Sequence, residues 1–230
     1  MDSVKLLNRT DTKFVFGIDQ LPEILEKVKD DYQVLEVNGN RISRYKTLYF
    51  DTDKFDFFMH HHNGWVDRFK VRMRKYIESN LCFLEIKHKV KGRTVKSRTK
   101  ISDFELELSK DSNDYISNVL YNPTDLEAKL WNSFSRITLV NNAKKERMTI
   151  DLDLGFEFGE RKGDGSHVVI AEVKQENASR DSALIQTVKK MGIRPLRISK
   201  YCIGAVMLYP ELKYNKFKEK ILHLNKLKRA

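Results

Sequence analysis

Residues 67–100 read DRFKVRMRKYIESNLCFLEIKHKVKGRTVKSRTK, and the placing of charge in this stretch decides the fold. On a strand, successive side chains point to opposite faces. Arg68, Lys70, Arg72 and Arg74 therefore share one face, and Phe69, Val71 and Met73 the other. After a turn at 78–80, Glu85, Lys87 and Lys89 lie opposite Leu84, Ile86 and Val90. After a second turn at Lys91 and Gly92, Lys96, Arg98 and Lys100 lie opposite Val95 and Ile101. One such strand is an ordinary half-buried strand with a solvated face. Three in succession, nearly all positive, are destabilising unless something anionic sits against them.

The whole chain repeats the bias. Its 230 residues hold 43 Lys and Arg against 32 Asp and Glu, a formal charge of +11, which points to a polyanionic partner. Length and a 40% hydrophobic content suit one domain over residues 1–230. Neither the start, MDSVKLLNRTDTK, nor the longest apolar run, 202–209, has the length of a signal core or a membrane span. A soluble, cytoplasmic protein is expected. Cys82 and Cys202 stand in apolar runs without metal-ligand spacing and read as buried free thiols.

Working outward, Arg9, Asp11 and Lys13 alternate with Thr10, Thr12 and Phe14 as a first strand. A helix is expected from Asp19 as N-cap, with Pro22 in its first turn and Leu21, Ile24, Leu25 and Val28 as its apolar stripe. A strand follows at 44–51. The segment 52–64, with His60, His61 and His62, reads as an exposed loop, since adjacent side chains point apart and cannot converge on a metal. Helices are expected over 102–120, capped by Ser102, and after Pro123, carrying Leu126, Leu130 and Trp131. A strand at 134–140 holds Arg136. Next comes the cleanest alternation in the chain, Arg147, Thr149, Asp151 and Asp153 against Met148, Ile150, Leu152 and Leu154. A turn at 163–165 leads to a strand with Ile170, Glu172 and Lys174 on one face, then a helix over 177–191 closed by Gly192. The basic tail places Phe217, Ile221, Leu224 and Leu227 at helical spacing. A helix over about 211–229 would cover the body, or else bind an acidic membrane surface or a membrane protein.

About eight strands thus carry one charged and one apolar face. With the charged faces inward, the sheet closes into a barrel around a hydrated lumen and loses its edges. Glu85 and Glu172 sit among cations at strand centres, as a site for metal and phosphate requires.

The ordered motifs Lys13-Phe14, Leu48-Tyr49-Phe50-Asp51, Lys70-Val71-Arg72-Met73-Arg74, Glu85-Ile86-Lys87, Val95-Lys96-Ser97-Arg98, Arg147-Met148-Thr149-Ile150-Asp151, Glu172-Val173-Lys174 and Ser199-Lys200-Tyr201 run through nearly the whole chain. Together they resemble the VTC domain, the polyphosphate polymerase branch of the triphosphate tunnel metalloenzymes, or CYTH superfamily. The resemblance implies an α+β fold: an eight-stranded antiparallel β-barrel tunnel with a charged lumen and helices packed outside. It implies transfer of the γ-phosphate of ATP onto inorganic polyphosphate with Mn²⁺ or Mg²⁺. Catalytic cations would be Arg72, Arg74, Lys87, Arg136, Arg147 and Lys200. Further phosphate contacts would come from Lys13, Lys89, Lys96, Arg98, Arg197 and Ser199, and Glu172 would hold the metal.

Departures from the family pattern are local. The Glu-x-Glu-x-Lys start of other tunnel enzymes is replaced by Arg9, Asp11 and Lys13, which argues against the hydrolase branch. Lys89 stands where eukaryotic relatives carry His, and Phe134 precedes Arg136 where the family usually has Tyr. Near His61 the polymerase relatives carry a cation, whereas His is largely neutral above about pH 6.5. The alternatives are a non-catalytic polyanion-binding tunnel and a triphosphate hydrolase of the same superfamily. A nucleic-acid partner is not expected: base stacking needs aromatics interleaved with the cations, and Phe69, Phe83 and Met73 read as pointing away from them.

Overall fold

The computed structural model describes residues 10–121, 124–176, 179 and 181–228. Arg9, Pro123 and Asn177, used in the readings above, lie outside the described residues. The strands are β1 (Thr10–Gly17), β2 (Gln33–Val34), β3 (Ile42–Asp51), β4 (Arg68–Tyr76), β5 (Leu81–Val90), β6 (Arg93–Ile101), β7 (Glu127–Asn141), β8 (Glu146–Phe158), β9 (Arg161–Gly165) and β10 (Val168–Gln175). The helices are α1 (Leu21–Val28), α2 (Asp56–Asn63), α3 (Lys110–Leu120), α4 (Ala183–Lys190), α5 (Lys200–Leu208) and α6 (Lys218–Leu227). All strands join one antiparallel sheet in the order β1-β10-β8-β7-β3-β4-β5-β6, with β2 on β7 and β9 on β8. Among the described residues, no helix is long and apolar enough to cross a membrane.

The expected closure of the barrel is not found: among the described residues nothing pairs β1 with β6. The free edge of β1 is taken by the segment entering α5, where Leu196 N–H donates to the Lys13 carbonyl at 2.8 Å and Pro195 bridges Phe14. β6 carries Arg93, Lys96, Arg98 and Lys100, and charge of this kind discourages an edge from pairing. The sheet curls nonetheless, because Lys13 of β1 and Lys96 of β6 line the same cavity.

Helices cover the outer face in two places. Leu21, Ile24 and Val28 of α1 and Leu184 and Val188 of α4 pack on Phe14, Phe16, Met148, Ile150 and Val173. Ile116 and Leu120 of α3, with Phe57 of α2, pack on Leu48, Val71, Met73, Leu84 and Ile86. On the cavity side, α5 packs among Tyr49, Leu130, Phe134, Leu154, Phe156 and Ile170, and Phe217 and Leu224 extend this cluster with α6. Each fully buried side chain of this size contributes roughly 1.5–3 kcal/mol. Two glycines make the close approach of α5 feasible. A Cβ at Gly204 would stand 2.4 Å from Phe156 Cδ1, and one at Gly163 would stand 3.0 Å from Met207 Cβ. Residues 163–165 therefore belong to β9 beneath α5 and are not the expected turn.

Several local expectations are corrected by long-range pairing. Residues 127–131 are strand, not helix, because β7 is hydrogen-bonded to β3. A register shift between Tyr49 and Phe50 there lets Leu126, Leu130 and Trp131 mimic helical spacing. On β8, Asp153 has φ +54° and the register with β7 shifts between Ser133 and Ser135. Alternation restarts there, so Leu154 joins the α5 cluster rather than the one holding Met148 and Ile150. α3 begins only at Lys110, capped by Ser109, whose Oγ accepts from Ser112 N–H at 3.2 Å. α1 begins at Leu21 after a 3₁₀ turn that includes Asp19, and α4 begins after Ser182, whose Oγ accepts from Ile185 N–H. The histidine triplet lies in α2, not in a loop; His62 is buried, with Nε2 2.7 Å from Asn215 Oδ1, and His60 stacks on Trp65 at 4.1 Å. Cys82 and Cys202 are buried free thiols, as expected.

Candidate functional site

Register assembles the site row by row. Tyr49, Arg72, Glu85 and Arg98 stand abreast on β3 to β6; Lys70, Lys87 and Lys96 form the next row, and Arg68, Lys89 and Thr94 the one beyond. On the other limb Lys13, Glu172 and Thr149 are abreast, and Arg136 faces Asp151. These rows line a cavity of about 630 Å³. Twelve Lys and Arg side chains line it against the four carboxylates Asp11, Glu85, Asp151 and Glu172, a formal surplus of eight positive charges.

Of the residues expected from sequence, Lys13, Arg72, Arg74, Lys87, Lys89, Lys96, Arg98, Arg136, Glu172, Ser199 and Lys200 line this cavity. Two do not. Arg147 shares the β8 face of Asp151 but lies four residues further along, between Val140 and Lys174, beyond the lining. Arg197 is exposed and outside the lining, although its charge lowers the pKa of Lys89, after burial and Arg68. Lys70, Lys174, Asp151 and Tyr76 line the cavity without having been singled out as site residues. Strand parity alone could have found Lys70 from Arg72 and Tyr76 from Arg74. The same parity corrects Phe83, which shares the face of Glu85 and carries the Arg98 guanidinium 4.8 Å above its ring.

Three of the carboxylates are clamped by cations. Arg72 donates to Glu85 through Nε at 2.7 Å and Nη2 at 2.5 Å. Arg136 grips both oxygens of Asp151 at 2.5 and 2.8 Å, and Lys200 Nζ donates to the same carboxylate. Lys13 donates to Glu172 at 2.7 Å, with Lys174 at 3.8 Å. Burial opposes the charge on Glu85, but Arg72 and Arg74 outweigh it and hold the carboxyl at about 2. Against the same burial, Lys200 and Arg136 keep Asp151 low, and Lys174 and Lys13 keep Glu172 low.

Several of the cations show the opposite strain, whereas Arg72 and Arg136, paired with Glu85 and Asp151, are raised. Burial pushes Lys70 and Lys200 down to about 8 and Arg74 to about 10. Lys87 falls well below the usual lysine value, through Arg72 first and burial second. Desolvation disfavours these charges, and a bound anion would restore them. His61 also lines the cavity and is pushed down to about 2 by burial and Lys70, so it is neutral. Ser199 caps α5, its Oγ accepting from Cys202 N–H at 3.4 Å and from Lys70 Nζ at 3.0 Å. The positive end of that helix therefore adds to the field at Lys200.

The donor set sets limits on a metal. Among the described residues, no three carboxylate, His or Cys side chains converge. Glu172 offers one carboxylate already met by two lysines. One carboxylate completed by phosphate oxygens and water is how Mg²⁺ is commonly held with nucleotides. The residues thus fit an ion that enters with a substrate.

Comparison with curated proteins finds no sequence match. Among solved structures, a protein of Vibrio parahaemolyticus described as a candidate adenylate cyclase aligns with a TM-score of 0.50 at 11% identity, over 86% of this chain and 99% of its own. A Hippeastrum protein, a candidate adenylyl cyclase described as having a dominant triphosphatase activity, aligns with a TM-score of 0.54 at 14% identity, over 84% and 93%. At such identities these likenesses speak for the fold alone. The profile of the VTC domain matches residues 8–209, and with most of the motif residues gathered around one cationic cavity, the chain belongs to the VTC domain family.

Proposed function

We propose that this chain is a polyphosphate polymerase, transferring the γ-phosphate of ATP onto the end of an inorganic polyphosphate chain inside the cavity. The formal surplus of eight positive charges, available in full once anions are bound, supports this reading above all. A triphosphate brings roughly four negative charges at neutral pH, which leaves cations for a second polyanion beside it. Hydrolysis of a single triphosphate has no need of that reserve.

Phosphoryl transfer asks a protein mainly for alignment and positive charge. The ionised terminal oxygen of the chain attacks the γ-phosphorus, the bond to the bridging β-oxygen breaks, and ADP leaves; no proton moves. A general base is not required. Arg72, Arg74 and Arg136 fork onto phosphate oxygens, while Lys87, Lys96 and Lys200 act as point charges. Glu172 would hold Mn²⁺ or Mg²⁺, whose chemistry is neutralisation of charge on the departing ADP.

Incubating the protein with ATP and each of Mn²⁺ and Mg²⁺, then sizing the product, tests the proposal. Long polyphosphate supports it. Orthophosphate without chain growth replaces it with a hydrolase, and tight polyphosphate binding without turnover replaces it with a receptor.

A further inference from the structure

One row on the cavity face carries no cation. Phe134, Tyr45, Tyr76 and Leu81 stand abreast on β7, β3, β4 and β5, beside the β4–β5 turn. Tyr45 stacks on Phe134 with centroids 4.9 Å apart, and Tyr76 meets Tyr45 at 5.0 Å and Phe83 at 6.0 Å. Most of these rings are occupied. Arg74 and Arg136 lie 5.1–5.7 Å over both Tyr45 and Phe134, and Arg98 covers Phe83. Tyr76 differs: it lines the cavity half-buried, and among the described residues its hydroxyl makes no hydrogen bond and its ring carries no cation. A ring face with no cation over it is electron-rich and repels phosphate. A purely inorganic ligand has no use for it.

We propose that Tyr76, with Leu81 beside it, stacks on the base of the nucleoside triphosphate donor; this rests on the nucleotide donor of the polymerase reading. Successive rows on one face lie about 6.6 Å apart along a strand. A base on Tyr76 sets the sugar level with Arg74 and Phe83, and the phosphates level with Arg72 and Arg98 and then Lys70, Lys87 and Lys96. Stacking tolerates any base. The subsite therefore accepts adenine and guanine nucleotides alike and favours both over inorganic tripolyphosphate.

The test is calorimetric binding of non-hydrolysable ATP and GTP analogues and of tripolyphosphate to the full chain and to Tyr76→Ala, Tyr76→Leu and Tyr76→Phe. Both analogues are expected to bind roughly 5- to 100-fold more tightly than tripolyphosphate. Tyr76→Ala and Tyr76→Leu, the second keeping apolar bulk for folding, should erase that gap and leave tripolyphosphate affinity unchanged, while Tyr76→Phe keeps it. Equal wild-type affinities, or an equal loss for all three ligands in the folded variant, overturn the base site. A chain that keeps the gap but makes no polyphosphate removes the polymerase reading instead.

Discussion

Asp51, at the end of β3, holds the start of the helix that carries Lys200. Its carboxylate accepts the N–H groups of Thr52, Phe57 and Phe58 at 2.8, 2.8 and 2.9 Å and the hydroxyl of Tyr201. One fully buried carboxylate thus ties α2 to the first turn of α5. Burial raises the pKa of Asp51, and the hydroxyl of Tyr201 and these amides work against it. Asp51→Ala leaves buried donors unpaired and should cost about 2–4 kcal/mol, and Tyr201→Phe about 1 kcal/mol. Urea unfolding measures both, and equally small costs would refute the tie.

Cavity geometry separates two arginines that motif matching treats alike. Arg136→Ala should weaken tripolyphosphate binding roughly 10- to 100-fold, the worth of a charged hydrogen bond. Arg147→Ala, outside the lining, should weaken it less than about 3-fold. Equal losses would mean that the anion path runs past Lys174.

Polyanion binding should weaken as the solution becomes alkaline. Lys70 and Lys200 sit at about 8 because burial disfavours their charge. Raising the pH through that value discharges them in the empty cavity, whereas a bound anion draws their protons back. Tripolyphosphate affinity should therefore fall between about pH 7 and about pH 9.5, with proton uptake on binding near pH 8. Calorimetry in two buffers of different ionisation enthalpy reads this directly; pH-independent binding without proton uptake would contradict it.

Glu172→Ala should abolish metal-dependent turnover while polyphosphate binding persists or tightens, because Lys13 and Lys174 lose their shared partner. Filter binding alongside a turnover assay separates the two effects. Loss of binding together with a lowered melting temperature would make Glu172 a structural brace instead.

The charged rows of β4 to β6 were readable residue by residue, and eleven of the thirteen expected site residues line the cavity. Arg147 falls outside the lining because motif order says nothing of where a lumen ends along a strand. β7 was mistaken in part for a helix because an irregular register hides a period of two. Leu154 was assigned to the wrong face because the shift at Asp153 restarts the alternation. Gly163 resembled a turn residue because its use, room for Met207, appears only when α5 is in place.

Which side chains of 68–101 share a face follows from backbone pleating within each strand, so a cationic face was inherent in the order of residues. Where that face ends, and what it meets, depends on partners distant in the chain. The seam stays open because Leu196 occupies the Lys13 edge, and Lys200 reaches Asp151 because α5 settles on Phe156. Hydrogen-bond register and edge occupancy are properties of pairs of segments, and no single stretch encodes them.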